Sequence, residues 1–271
     1  MGTTTPGVSA NGTAGAVMVA EGLIKRYGSD VRALGGVSFA VRPGEVVAVL
    51  GPSGAGKTTL FRCLTGLTRP DAGSVVINGR DLTQASGREL RMARRDVALI
   101  FQQFNLIRRL TALQNVLAGR LAQAQTWRVV LRRFARADRQ LALGCLDTVG
   151  LLDKSYARAD QLSGGQQQRV AIARALAQDA KIILADEPVA SLDPESSATV
   201  LESLRAAAAA GVAVIASLHQ VHLARSFADR IIALREGALL EDAPNASFDS
   251  RALEQLYERA GDRLRNTAAT L

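Results

Sequence analysis

Aromatic residues make up only 4% of the 271 residues, with a single Trp, so the core must be built from Ala, Val, Leu and Ile. Cysteine is almost absent. Cys63 and Cys145 cannot form a disulfide framework and lack the spacing of metal ligands. Long apolar runs are missing as well. The longest, around Val46–Leu50, Ile182–Ala185 and Val212–Ala216, have the length of buried strands, far from the ~20 residues a bilayer requires. Met1–Ala16 lacks the basic-then-apolar profile of a secretory signal, and its Thr-, Gly- and Ala-rich composition reads as a disordered leader. No internal repeat is present. These absences exclude a membrane-spanning, collagenous or disulfide-stapled protein and read as a soluble, cytosolic chain.

What is present is a balance of 48% apolar and 21% charged residues, enough for one large α/β domain. The formal charge of +8 is carried mostly by arginine. Such a balance permits nucleic acid, anionic lipid or a phosphate-rich ligand and does not choose among them; a compositional bias toward Arg and Ala explains it equally well.

From Val17 the pattern turns regular. Val17–Leu23 and Val37–Val41 read as strands, Pro43-Gly44 as a turn and Glu45–Leu50 as a buried strand. A glycine-rich loop, a helix over Lys57–Leu67, and the strand Val75–Ile77 with an Asn78-Gly79 turn follow. Capping-box spacing at Ser86-x-x-Glu89 and Thr111-x-x-Gln114 opens a largely helical middle, interrupted by the strand Val97–Phe101. Arg128–Arg139 and Arg139–Val149 have amphipathic helical spacing. The last third alternates: helices Gln166–Ala177, Glu195–Ala210 and Val221–Phe227, strands Ile182–Ala185, Val212–Ser217 and Arg230–Leu234. This alternation predicts a parallel sheet flanked by helices.

Three segments carry chemistry. Gly51-Pro52-Ser53-Gly54-Ala55-Gly56-Lys57-Thr58, followed by Thr59, matches the phosphate-loop pattern. Glycines let successive backbone N–H groups turn inward around a polyphosphate, and the following helix aims its positive end at the same charge. Lys57 then reaches the β- and γ-phosphates, and the Thr58 hydroxyl can ligate Mg²⁺. Ile182–Ala185 runs into Asp186 and Glu187, adjacent carboxylates at the C-terminal edge of a strand. Asp186 suits Mg²⁺ through water, and Glu187 suits orienting or deprotonating an attacking water. Leu162-Ser163-Gly164-Gly165-Gln166 is a second capped helix start with room for close approach, hence a second anion cradle. One chain has no use for two cradles on a single nucleotide.

In this order the three segments resemble the ATP-binding subunits of ABC transporters, over about residues 17–240. The resemblance implies a P-loop NTPase core, a parallel sheet flanked by helices, with an antiparallel β subdomain and an inserted α-helical subdomain at about 86–162. The domain would span 17–242, with a leader at 1–16 and a helical tail at 243–271. It implies ATP and Mg²⁺ as cofactors, and a head-to-tail homodimer in which Ser163–Gln166 of one subunit covers the nucleotide on the other's phosphate loop. Tyr27 resembles the aromatic that stacks on adenine, and Gln102 the loop glutamine that senses Mg²⁺ and γ-phosphate. Asp193, in Ser191-Leu192-Asp193, resembles the segment that communicates across the dimer. His219 resembles the switch histidine at the γ-phosphate, whereas His222 reads as a surface group. Integral membrane permease subunits and, indirectly, a substrate-binding protein are the implied partners. No nucleic-acid partner is implied. The implied location is peripheral, at the cytoplasmic face of the plasma membrane.

Phe101–Ile107, Ala185–Pro194 and Ser217–Ala224 are similar to the ATPase subunits of phosphonate importers; His222 departs from the acidic residue expected there. Nothing in these segments reads a phosphonate; phosphite or phosphate-ester import, amino-acid import and lipoprotein export stay open as cargo classes, and a soluble ABC ATPase acting on ribosomes or DNA ends is the remaining, less favoured alternative. Arg128, Arg132, Arg136 and Arg139 share one helical face, either a solvated rim or a contact for acidic lipid. In the tail, Phe248–Arg265 carries Leu253, Leu256 and Tyr257 at helical spacing.

Overall fold

The computed structural model describes residues 14–28, 31–101, 105–122 and 134–248. Gln102, Arg128, Arg132, most of the expected leader and the tail beyond Phe248 lie outside the described residues.

Two sheets organise the chain. Strands β1 (Met18–Tyr27), β2 (Val31–Val41), β4 (Ala72–Ile77) and β5 (Arg80–Asp81) form an antiparallel sheet in the order β2-β1-β4-β5. The second sheet comprises β3 (Val46–Leu50), β6 (Val97–Ile100), β7 (Ile182–Asp186), β8 (Ala213–Leu218), β9 (Arg230–Arg235) and β10 (Ala238–Pro244), in the order β10-β9-β3-β8-β7-β6. All of its neighbours pair parallel except β10, which runs antiparallel to β9.

The parallel strands read as unbroken apolar runs because both faces are covered. Alternation sorts their side chains into two cores. Val46, Ala48, Leu50, Ile183, Ala185, Val214 and Ala216 join one core with the helices α3 (Ala112–Ala118), α4 (Arg136–Thr148), α5 (Gly164–Ala177), α6 (Pro194–Ala209) and α7 (Val221–Phe227). Val47, Val49, Ile182, Leu184 and Ile215 face the other way. They meet Leu60, Phe61 and Leu64 of α1 (Lys57–Leu64), together with Met18, Leu23, Phe39 and Ile77 of the antiparallel sheet. Each such fully buried side chain contributes ~1.5–3 kcal/mol.

Local chemistry explains several boundaries. α1 ends at Leu64, short of Leu67, because Gly66 takes φ 66 and its N–H returns to the Cys63 carbonyl. Asn78 and Gly79 both have positive φ, as a tight hairpin turn requires. Thr111 and Gln114 close a reciprocal capping box at α3. Ser86 precedes α2 (Gly87–Arg95) without a side-chain cap; Gly87, with φ 52, turns the backbone away from capping geometry. The apolar run of β10, Ala238–Leu240, is cut short by Glu241 and Asp242 and does not by itself predict a strand; its pairing with β9 continues through Ala243 and Pro244, past position 242. Within 86–162, β6 belongs to the parallel sheet, so the helical segment proper follows it. α4 starts at Arg136, and Arg136 and Arg139 are exposed on it.

At the edge where strands begin, Arg230 ties the two sheets together. Its guanidinium pairs with both carboxylate oxygens of Asp242 at 2.5 and 2.6 Å, with Glu45 at 3.1 Å, and donates to the Ala40 carbonyl at 2.8 Å. The opposite edge is thereby left for the loops that follow β3, β7 and β8.

Leu184→Ala should lower stability by about 3 kcal/mol, a fall in Tm of roughly 6–12 °C for a domain of this size. Leu152, 47% exposed, should cost under ~1 kcal/mol as Leu152→Ala. Thermal denaturation of the two variants checks the two-sided burial of β7.

Candidate functional site

The loop Gly51–Gly56 joins the end of β3 to α1. A Cβ on Gly51 would lie 2.5 Å from the Leu234 carbonyl oxygen, and one on Gly56 2.4 Å from that of Ala33. Gly56 also takes φ 101 and Gly54 φ 80, conformations that L side chains rarely adopt. Around Gly54 the space is open. The loop is pressed against the sheets from behind and leaves its outer side free. The Ala55 carbonyl accepts from Gly237 N–H at 3.0 Å, fixing the loop to the β9–β10 turn. α1 begins without a side-chain cap, so the N–H groups of its first turn are available to an anion.

Lys57 is buried, and its Nζ donates to the Gly51 carbonyl at 2.7 Å and the Pro52 carbonyl at 3.2 Å. Burial holds its pKa below that of an ordinary lysine, while Glu187 and Asp186 pull it upward. A buried ammonium that two carboxylates do not fully compensate favours further negative charge. Thr58 is exposed and Thr59 half-buried on the first turn of α1; in the loop Ser53 is exposed and Pro52 half-buried.

Asp186 ends β7 on the face of Ile182 and Leu184, the face that α1 covers. It sits level with Ser217 of β8, whose hydroxyl donates to Asp186 Oδ1 at 2.7 Å and accepts from the Glu187 N–H at 2.8 Å. Glu187 takes φ 52, a left-handed conformation that costs a non-glycine residue ~1–2 kcal/mol. Its Oε1 meets His219 Nε2 at 2.5 Å. Both side chains remain partly exposed at this edge. Thr58 and Asp186 supply hard oxygen donors, the chemistry that suits Mg²⁺.

Ser163 caps α5. Its hydroxyl accepts from Gln166 N–H at 3.3 Å, and the Gln166 side-chain oxygen accepts from Ser163 N–H at 3.0 Å. Ser163 is exposed, and Gly164 and Gln166 are half-buried. The atoms nearest a Cβ on Gly165 belong to Ser196, with Oγ at 2.7 Å, so this turn packs against the start of α6. Asp193 caps α6, accepting from Ser196 N–H at 2.9 Å, a bond that holds its carboxyl below the usual range. Tyr27 ends β1 with 42% of its surface exposed and Lys25 Nζ 5.7 Å from its ring centre.

The structure therefore brings Gly51–Thr59, Asp186, Glu187 and His219 to one sheet edge and joins Ser163–Gln166 to Asp193 at the head of α6. Gln102 lies outside the described residues. His222 is exposed, as expected. The sequence places Ser217 at the end of a strand and in the stretch Ser217–Ala224 but gives it no role; a serine in an apolar run announces none without the register that sets it beside Asp186.

Such a site can bind a polyphosphate, hold a cation beside it and orient water at its terminal phosphate. The family described as ABC transporter matches residues 34–190, more than half of the chain. The hypophosphite import ATP-binding protein HtxD of Stutzerimonas stutzeri is 52% identical over 235 residues, 86% of this chain and 69% of that protein. The phosphonates import ATP-binding protein PhnC 1 of Rhodopseudomonas palustris is 46% identical over 254 residues, 93% of this chain and 94% of that one. Among solved structures, the dimeric post-hydrolysis state of the ATP-binding cassette MJ0796 bound to ADP and Pi superposes with a TM-score of 0.72 at 34% identity, covering 85% of this chain and all of that one. The chain belongs to the ABC transporter family, as an ATP-binding cassette.

Proposed function

We propose that this chain is the ATP-hydrolysing motor of an importer for phosphonates, acting as a head-to-tail pair on separate membrane subunits. The observation that carries the reading is the combination of two cradles. The glycine loop with buried Lys57 shares its sheet edge with Asp186, Glu187 and His219, while a second capped turn, Ser163–Gln166, packs on α6 with Ser163 exposed. A partner's nucleotide gives the second cradle a use.

In this scheme Gly51, Pro52, Ser53, Gly54, Ala55, Gly56 and the first turn of α1 wrap the phosphates, and Lys57 turns from its loop carbonyls to the β- and γ-oxygens. Mg²⁺, when bound, neutralises charge on those oxygens; Thr58 and Asp186 would hold it, and Gln102 is assigned to sense it. Glu187 accepts a proton from, or orients, the attacking water, and His219 fixes the Glu187 carboxylate and faces the γ-phosphate. Tyr27 offers an exposed ring for the adenine. Ser163, Gly164, Gly165 and Gln166 close on the partner's nucleotide, and Asp193 links that closure to the head of α6. Among the described residues no helix is long and apolar enough to cross a membrane. Permease subunits are therefore assigned to other chains, with this one peripheral at the cytoplasmic face and a substrate-binding protein outside. A basic chain is not by itself a nucleic-acid binder, and none is assigned.

Phosphonate is favoured by several relatives at 45–48% identity that carry that name; the hypophosphite relative favours a second, smaller phosphorus oxyanion. Uptake of labelled phosphonate in cells with and without the chain, with hypophosphite, phosphite and phosphate as competitors, decides the cargo. Uptake independent of the chain would remove this assignment.

Glu187→Gln should retain MgATP binding and hydrolyse it at least ~10²-fold more slowly, because only the group acting on water is lost. Single-turnover hydrolysis and equilibrium nucleotide binding check this; near-wild-type turnover would displace Glu187. Lys57→Ala should weaken ATP binding itself by about 10-fold or more, measured by titration with a fluorescent analogue. Ser163→Arg should abolish nucleotide-dependent dimerisation in gel filtration while the monomer still binds ATP. Loss of monomer binding would mean that the second cradle serves its own chain.

A further inference from the structure

We infer that Ser217 is a positioning residue that sets both carboxylates of the hydrolytic edge, through one hydroxyl used in two directions. The inference rests on the roles proposed above for Asp186 and Glu187, and adds the group that places them.

Ser217 is fully buried near the end of β8, at the register position opposite Asp186. A backbone N–H can only donate, so the Glu187 N–H at 2.8 Å occupies a lone pair of Ser217 Oγ. The hydroxyl proton is then directed to Asp186 Oδ1, 2.7 Å away. Two consequences follow. The bond to Asp186 restrains the carboxylate's rotation and takes up one lone pair of Oδ1, with Oδ2 not engaged by Ser217. The bond to Glu187 pins the N–H of a residue held at φ 52, a backbone state that needs its surroundings to maintain it.

β8 ends at Leu218, and His219, the next residue and two beyond Ser217, takes the Glu187 side chain through Nε2. The end of one strand and the residue just past it thus hold the two ends of Glu187: Ser217 its backbone, His219 its carboxylate. Neither contact reaches the phosphate loop, so losing Ser217 should alter chemistry and metal response more than nucleotide affinity. A serine suits the position because it accepts and donates from one atom in a space closed to water. Alanine leaves an N–H and a carboxylate oxygen without that partner, and cysteine keeps the volume with a weaker donor and acceptor.

The test uses the full-length chain in five forms: wild type, Ser217→Ala, Ser217→Cys, Ser217→Thr and Glu187→Gln. For each, kcat and KM for ATP, the Mg²⁺ concentration for half-maximal activity, the affinity for a fluorescent ATP analogue with and without Mg²⁺, and Tm are measured. The Ala and Cys variants should lose about 10-fold in kcat with KM for ATP within about 2-fold, and their Mg²⁺-dependent gain in nucleotide affinity should shrink several-fold. Metal-free affinity should stay at the wild-type value. Threonine, which keeps the hydroxyl, should restore kcat to within about 3-fold of wild type. The Cys variant carries the test if alanine does not fold. Unchanged kcat and Mg²⁺ response in the Ala and Cys variants, or a threonine variant as impaired as alanine, would overturn the inference. Slow Glu187→Gln beside normal Ser217→Ala and Ser217→Cys would reject Ser217 alone. Normal turnover of Glu187→Gln would instead reject the role on which this inference stands.

Discussion

Covering the parallel strands β3, β7 and β8 on both faces is the constraint from which the rest of the structure follows. With apolar side chains buried above and below, a strand cannot slip by one residue without exchanging its two faces. The registers Val46↔Val214 and Ile182↔Ala213 are locked by that cost. Locked registers make the strands end together, and polar groups appear where they end. Gly51, Asp186 and Ser217 meet at one edge because the sheet leaves them no other alignment.

The edge assembled in this way is costly in isolation. Lys57 is buried with its ammonium turned onto carbonyls of its own loop, and Glu187 sits in a left-handed backbone state. Neither feature serves the core. Both are held by neighbours: Gly51 and Gly56 by the close approach of Leu234 and Ala33, Glu187 by Ser217 and His219. Strain of this kind persists where surrounding structure over-determines it, and here the surroundings are the ends of three strands. At the far edge Arg230, braced by Glu45 and Asp242, donates to the Ala40 carbonyl of β2 and so ties the antiparallel sheet to the parallel one.

Two patterns with the same spacing show what local sequence does and does not settle. Ser163-x-x-Gln166 forms a reciprocal cap and Ser86-x-x-Glu89 does not. The spacing is identical, but Gly87 adopts φ 52 and alters the first turn of α2, whereas Gly164, the equivalent residue after Ser163, keeps a negative φ and leaves the cap geometry intact. Strands follow the same rule. Buried β7 and β8 were legible as apolar runs. β5, two residues long, and β10, interrupted by Glu241 and Asp242, exist through the partners they pair with and have no strand-like pattern of their own.

By itself the sequence determined the phosphate loop, the acidic end of β7, the capped turn at Ser163 and the alternation that makes a parallel sheet. Each of these is a local demand: glycine where φ is positive, a hydroxyl where helix N–H groups need an acceptor, unbroken apolar runs where both faces are covered. Only the tertiary structure decided that Ser217 stands beside Asp186, that Lys57 is buried facing Glu187, and that Ser163–Gln166 packs on the head of α6. Those neighbours lie far apart along the chain, and their meeting depends on which strands adjoin and in what register. That is fixed by packing energy summed over the whole sheet, which no short stretch of residues records.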